Sequence, residues 1–252
     1  MRHIYGALLG LMLLAAPAAA SDGKQLAAQA VDAARTLKQQ AVRAAAAGER
    51  LDLKRGPASE LFGRIFDIKG FDDLPPMSAS DMEWIVDWLG AVRDANYAML
   101  YFGANLKTPL TLTPAAMERN VKQYEDELAT ATVFQQKMFP RMLETGVAFL
   151  ESLSEKERTP IRQEGFEKAL NGYVESVTGA LCFAAAADTK PENARAIMAV
   201  LHETAEIWAT LSSPEARKNL SQMATAARKT VKDKEAAEHL LAIQAALDAT
   251  KS

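Results

Sequence analysis

Apolar positions recur at intervals of three and four along almost the whole chain, and no stretch alternates with the period of two that marks a strand. Leu26, Ala30, Ala33, Leu37, Ala41 and Ala44 line one face of a first helix over 24–47, with Gly48 as its stop. The helix over 80–107 carries two adjacent stripes. Met82, Ile85, Leu89, Val92, Asn96, Met99, Gly103 and Leu106 form one; Trp84, Trp88, Ala91, Ala95, Ala98 and Phe102 form the other. Together they cover more than half the surface, which predicts a central helix.

Thr111 to Thr113 with Pro114 pairs a cap with a first-turn proline and starts the next helix. Its stripe runs from Met117 to Phe149, and Pro140 is expected to kink or divide it. Ser154 with Glu157 resembles a capping box ahead of a helix over 160–187. Beside the stripe of that helix runs a line of small residues, Gly165, Ala169, Gly172, Ser176 and Gly179. Mid-helix glycine costs about 1 kcal/mol against alanine, so the line predicts close approach by a neighbouring helix. Thr189 to Glu192, Ser213 to Glu215 and a break at 231–233 set off three final helices. The pattern predicts an all-α chain, an antiparallel up-and-down bundle of seven to eight helices, in one domain over 21–252 with possible halves 21–153 and 154–252.

Two regions depart from this pattern. Arg2 and His3, the apolar run 4–16 and Ala18-Ala19-Ala20 before Ser21 are the three parts of a secretory signal, with cleavage expected after Ala20. An apolar run of that length is short of the ~20 residues a membrane span needs. The chain is therefore expected in the periplasm, with the extracellular space second. The stretch 48–80 is broken by Gly56-Pro57, Gly63, Gly70 and Pro75-Pro76, with a short helix expected over 59–66 and Ser59 as its cap. Large apolar residues between the breaks argue against disorder. They either pin the loop to the bundle or let it cover a cavity or dock a partner. On the second reading Phe62, Phe66 and Phe71, with Trp84 and Trp88, are the candidate ligand-binding or partner-binding residues.

Composition narrows the chemistry. The balance of 29 basic to 32 acidic residues gives nucleic acid no electrostatic footing. Cys182, the single cysteine, rules out an internal disulfide, and its apolar surroundings predict burial. His202-Glu203-Thr204-Ala205-Glu206 lacks the second histidine of a zinc-protease helix, and neither His202 nor His239 follows a glutamate by three, as di-iron bundles require. No nucleophile elbow or phosphate-binding glycine loop is present. Asp81, Glu83 and Asp87 near Trp84 and Trp88 could suggest a sugar site, but carboxylates at a helix start are better explained by the helix dipole.

No catalytic residue, cofactor or metal ligand is assigned. Two functions are expected: a non-catalytic protein with a protein partner in the cell envelope, or a small-molecule binder. The binder would have a cavity lined by Trp84, Trp88, Phe102, Tyr173 and Trp208 under the 56–76 loop.

Overall fold

A computed structural model describes residues 19–104 and 112–250. The signal features over 1–18 and the expected helix ends at Leu106, Lys107 and Thr111 lie outside the described residues. Among the described residues the chain is all-helical and has no strand. The order is α1 (Ala19–Ala47), α2 (Gly56–Ile65), α3 (Ile68–Asp72), a 3₁₀ turn (Ala79–Asp81), α4 (Met82–Leu100), α5 (Pro114–Gln123), α6 (Glu125–Ser152), α7 (Pro160–Ala185), α8 (Pro191–Glu203), α9 (Ala205–Leu211), α10 (Pro214–Ala227) and α11 (Lys234–Ala249). None of the described helices is long and apolar enough to cross a membrane.

The alanine face of α1 does what small side chains allow. Ala27, Ala30, Ala33, Ala34, Leu37 and Ala41 are buried, and α1 lies along α4 and α2. At Gly23 a Cβ would meet the Trp84 ring at 2.8 Å, so the approach there depends on glycine. Gly48 ends the helix in the left-handed region, φ 70°. The Glu49 amide then reaches the Ala44 carbonyl (2.8 Å) and the Gly48 amide the Ala45 carbonyl (3.2 Å), the paired bonds of a Schellman stop.

Helix boundaries follow local chemistry where the cap is local. Thr113, Ser213 and Asp233 accept from the amides of Ala116, Ala216 and Ala236 at the starts of α5, α10 and α11. Elsewhere the expected boundaries need correction. The helix placed at 59–66 begins at Gly56, because Pro57 takes the first-turn position and Arg55, not Ser59, precedes it. Of the two outcomes expected at Pro140, a kink or a division, the helix is not divided there; the break falls at Tyr124, whose φ −112° and ψ 26° leave the helical region. The amide of Tyr124 still bonds the Asn120 carbonyl, and its own carbonyl accepts from Leu128. The change of direction therefore costs little hydrogen bonding, and Glu125, Asp126 and Glu127 favour a fresh start.

Thr204 divides the helix expected after Pro191 in the same way. The Glu157 carboxylate accepts from both the amide and the hydroxyl of Ser154, which is one half of a capping box, and it does so within a turn before α7. Thr189 does not cap α8. Its hydroxyl donates to the Phe183 carbonyl at the end of α7, and Glu125 of α6 accepts the Lys190 amide at 2.7 Å. One helix thus supplies another's cap across the fold.

α6 joins the molecule. It packs on α4 on one side and on α7 and α8 on the other, while α8 also meets α11, and α10 meets α7 and α11. The core continues through this helix. Trp88, Phe71 and Phe134 are fully buried toward the N-terminal helices; Tyr173, Ile197, Met198 and Trp208 are buried toward the C-terminal ones.

Candidate functional site

Phe62, Phe66, Phe71, Trp84 and Trp88 are brought together by α2, α3 and α4, and all five are buried. They join through Phe134 of α6, which sequence reasoning passed over. Its ring lies 5.4 Å from Phe71, 5.5 Å from Trp88 and 5.9 Å from Phe66. Phe71 meets Trp88 edge-on at 5.6 Å, and Phe62 meets Phe66 at 4.6 Å. The two indoles spend their N–H groups inside the protein, Trp88 on the Ile65 carbonyl and Trp84 on the Asp81 carboxylate, each at 2.8 Å.

Arg141 of α6 holds α3 and the turn after it. Its guanidinium donates to the Phe71 carbonyl (2.9 Å) and lies 4.9 Å over the Phe71 ring. Lys137, one turn earlier, pairs with Asp72 at 3.1 Å. Neither of the two surface depressions described below is lined by any of these aromatic residues.

The carboxylate nearest the tryptophans is committed to structure. Burial of Asp81 works against its charge. The Ser78 amide, the Trp84 indole and the Ser78 hydroxyl outweigh that, and hold the carboxyl below its ordinary value. An acid kept ionised in this way cannot serve as the proton donor a sugar site needs. Glu83 and Asp87 are exposed.

The five residues expected to line a cavity are dispersed. Trp84 and Trp88 belong to the aromatic cluster. Phe102 sits edge-on to Tyr124, Tyr173 stacks on Phe139 at 5.2 Å, and Trp208 donates to the Leu201 carbonyl. Burial pushes the Tyr173 phenol up, and its hydroxyl approaches Thr204 without reaching hydrogen-bond geometry.

α7 departs from expectation twice. Cys182 is exposed, because Ala180, Leu181 and Ala184 take the inward face and leave residue 182 outside. Nor does a neighbouring helix fill the space left by the glycines. A Cβ built at Gly165, Gly172 or Gly179 meets nothing within 4 Å. Of the small-residue line, Ser176 accepts from Gln136 of α6 at 2.8 Å and Ala169 packs on the core. On the other flank of α7, Val174 and Thr178 face Ala216, Asn219 and Met223 of α10 across a shallow depression of about 540 Å³. A smaller one, about 180 Å³, lies by Val147, Leu150 and Arg158. Ile161, in the first turn of α7, is 80 % exposed.

Two polar clusters remain. Asp126 accepts from Lys54, Lys190 and Asn193, and these donors hold its carboxyl far below the usual carboxylate range. The cluster ties the chain before α2 to the starts of α6 and α8. On the opposite edge of α8, His202 meets His239 of α11 with their Nδ1 atoms 3.1 Å apart. Among the described residues no group of three or more His, Cys, Asp and Glu gathers into a metal-ligand set. No family model, no curated protein and no solved structure matches this chain.

Proposed function

We propose that the chain is an exported, non-catalytic helical protein that works in the periplasm by docking a protein partner on the outer face of α7. The observation that carries this reading is the open space over Gly165, Gly172 and Gly179. Each glycine destabilises the helix by about 1 kcal/mol relative to alanine, and no described part of the chain uses the close approach that glycine permits. A partner helix lying along α7 is a physical use for it, since backbones approach most closely over small residues. Ile161, on the same side of α7 and 80 % exposed, adds apolar surface of the right character.

The same reading takes the helices as an antiparallel up-and-down bundle. If α5 with α6 and α8 with α9 are counted as single bent rods and the short α3 is set aside, eight rods remain. Export rests on the signal pattern over 1–20. The second reading, a small-molecule binder under the 56–76 loop, has the aromatic density of that region in its favour. The direct ring-to-ring packing of Phe71, Trp88 and Phe134 weighs against space for a guest there.

Site-specific photo-cross-linking tests the docking face. A photoreactive residue is placed at Lys168 or Glu175, exposed positions beside Gly172 on α7, and for comparison at Lys218 of α10, in the chain expressed with its signal in its own host. The expected result is one discrete adduct from the α7 positions and none from Lys218. The same adduct from all positions, or none from any, overturns the assignment to α7.

A further inference from the structure

We propose that His202 and His239 form a two-histidine site for a divalent cation of the zinc class, clasping α8 to α11. The two residues are 37 positions apart and come from helices packed against each other. Their Nδ1 atoms face one another at 3.1 Å, with ring centroids 5.3 Å apart and the planes tilted by 48°.

Two ring nitrogens so placed cannot both carry a proton, so at least one lone pair points at the other ring. Zinc binds imidazole nitrogen at about 2.0–2.1 Å, and tetrahedral geometry sets two such nitrogens about 3.3 Å apart. The pair is within a few tenths of an ångström of that spacing. A bound cation would leave both N–H groups on Nε2, free for solvent or a carbonyl.

The surroundings indicate an open site. His202 is exposed and His239 half-buried, so an aqueous ion reaches them directly. Glu203, Glu235 and Glu238 pair with Lys137, Arg195 and Lys234, and among the described residues no third His, Cys, Asp or Glu gathers with the two histidines. Water therefore completes the coordination. Imidazole donors suit zinc, copper and nickel and disfavour calcium and magnesium. A cation held by both helices in the folded chain stabilises it by mass action, and the gain falls on the attachment of α11.

Calorimetric titration with Zn²⁺ tests this, using the full chain without an affinity tag and with His3→Ala, so that only His202 and His239 carry imidazole. The expected result is a saturable isotherm of one equivalent and a thermal midpoint that rises with Zn²⁺. Both should vanish in His202→Ala and in His239→Ala. His202→Gln and His239→Gln keep a polar group at each position and guard against a folding defect; they too should lose the isotherm while keeping the far-ultraviolet circular dichroism of the parent. Absence of saturable binding in the parent, or binding of equal strength in all four variants, would show that the pair is only an N–H···N hydrogen bond and overturn the proposal.

Discussion

Phe71 shows how much one side chain can hold. Its ring is fully buried between Trp88 and Phe134, and its carbonyl is fixed by Arg141. Phe66→Ser or Phe71→Ser puts a hydroxyl without a partner into a void the size of a phenyl ring. We predict a loss of at least about 3 kcal/mol in denaturant unfolding for either change, with the larger loss at Phe71. Tyr173 should behave in the opposite sense. Its buried hydroxyl has no partner at hydrogen-bond geometry, while its ring stacks on Phe139. Tyr173→Phe keeps the stack and removes the orphan, so the unfolding free energy should stay level or rise by up to about 1 kcal/mol.

The burial of the five aromatic candidates was readable as apolar character, but which ones touch was not. Their meeting point, Phe134, lies in another helix 46 to 72 positions on, and no spacing rule links it to them. Cys182 teaches a related lesson. An apolar run in a helix still has two faces, and the residue at 182 falls on the outer one.

Among the elements, the local starts were legible. Thr113-Pro114 and Ser213-Pro214 carry their caps and first-turn prolines side by side, and the stop at Gly48 is a single residue. The breaks at Tyr124 and Thr204 carry no glycine or proline, so nothing local announces them. The start of α8 depends on Glu125 from α6, which only tertiary structure supplies. The cap of α11 makes a pH prediction. Arg195 and the Ala236 amide draw the Asp233 carboxyl down to about 2. An unfolded Asp titrates near 3.9, so the folded state favours the ionised form. The resulting stability is present above about pH 4 and is lost as pH falls towards 2. Asp126 contributes in the same direction. Urea melts between pH 5 and 2 should show a steep acid loss, made shallower in Asp233→Asn.

The glycines of α7 make a prediction about the same element with two readouts. Gly165→Ala, Gly172→Ala and Gly179→Ala place a methyl group in open space. Each should raise stability by about 0.5–1 kcal/mol, seen as a higher thermal midpoint. If a partner uses that face, the triple variant is more stable and binds less well, a trade found where function holds a helix below its optimum.

At the scale of the whole molecule, α6 is the common wall. The aromatic cluster closes on one side of it, the Phe139–Tyr173 stack on the other, and Arg141 and Lys137 strap the α3 segment to it. Arg141→Ala removes charged donors from the Phe71 and Leu74 carbonyls and a cation from the Phe71 ring, and should cost about 1–3 kcal/mol. Hydrogen exchange should report that cost first as faster exchange over 66–76, before the C-terminal helices respond.

That the chain is helical was plain from periodicity. Which helix would bridge the N-terminal and C-terminal helices was not: α4 is well buried as its apolar pattern predicts, but it is α6 that meets α4 on one side and α7 and α8 on the other, and that depends on the path of the chain and not on how apolar a helix is.

Docking of a partner on α7 is open to native mass spectrometry on the chain isolated gently from its own host. Wild type is compared with a variant carrying Gly172→Leu and Gly179→Leu. Wild type should give a complex of the chain with a second polypeptide, and the variant the chain alone. A bare monomer in both, or a monomer carrying the mass of a small molecule in both, would contradict it.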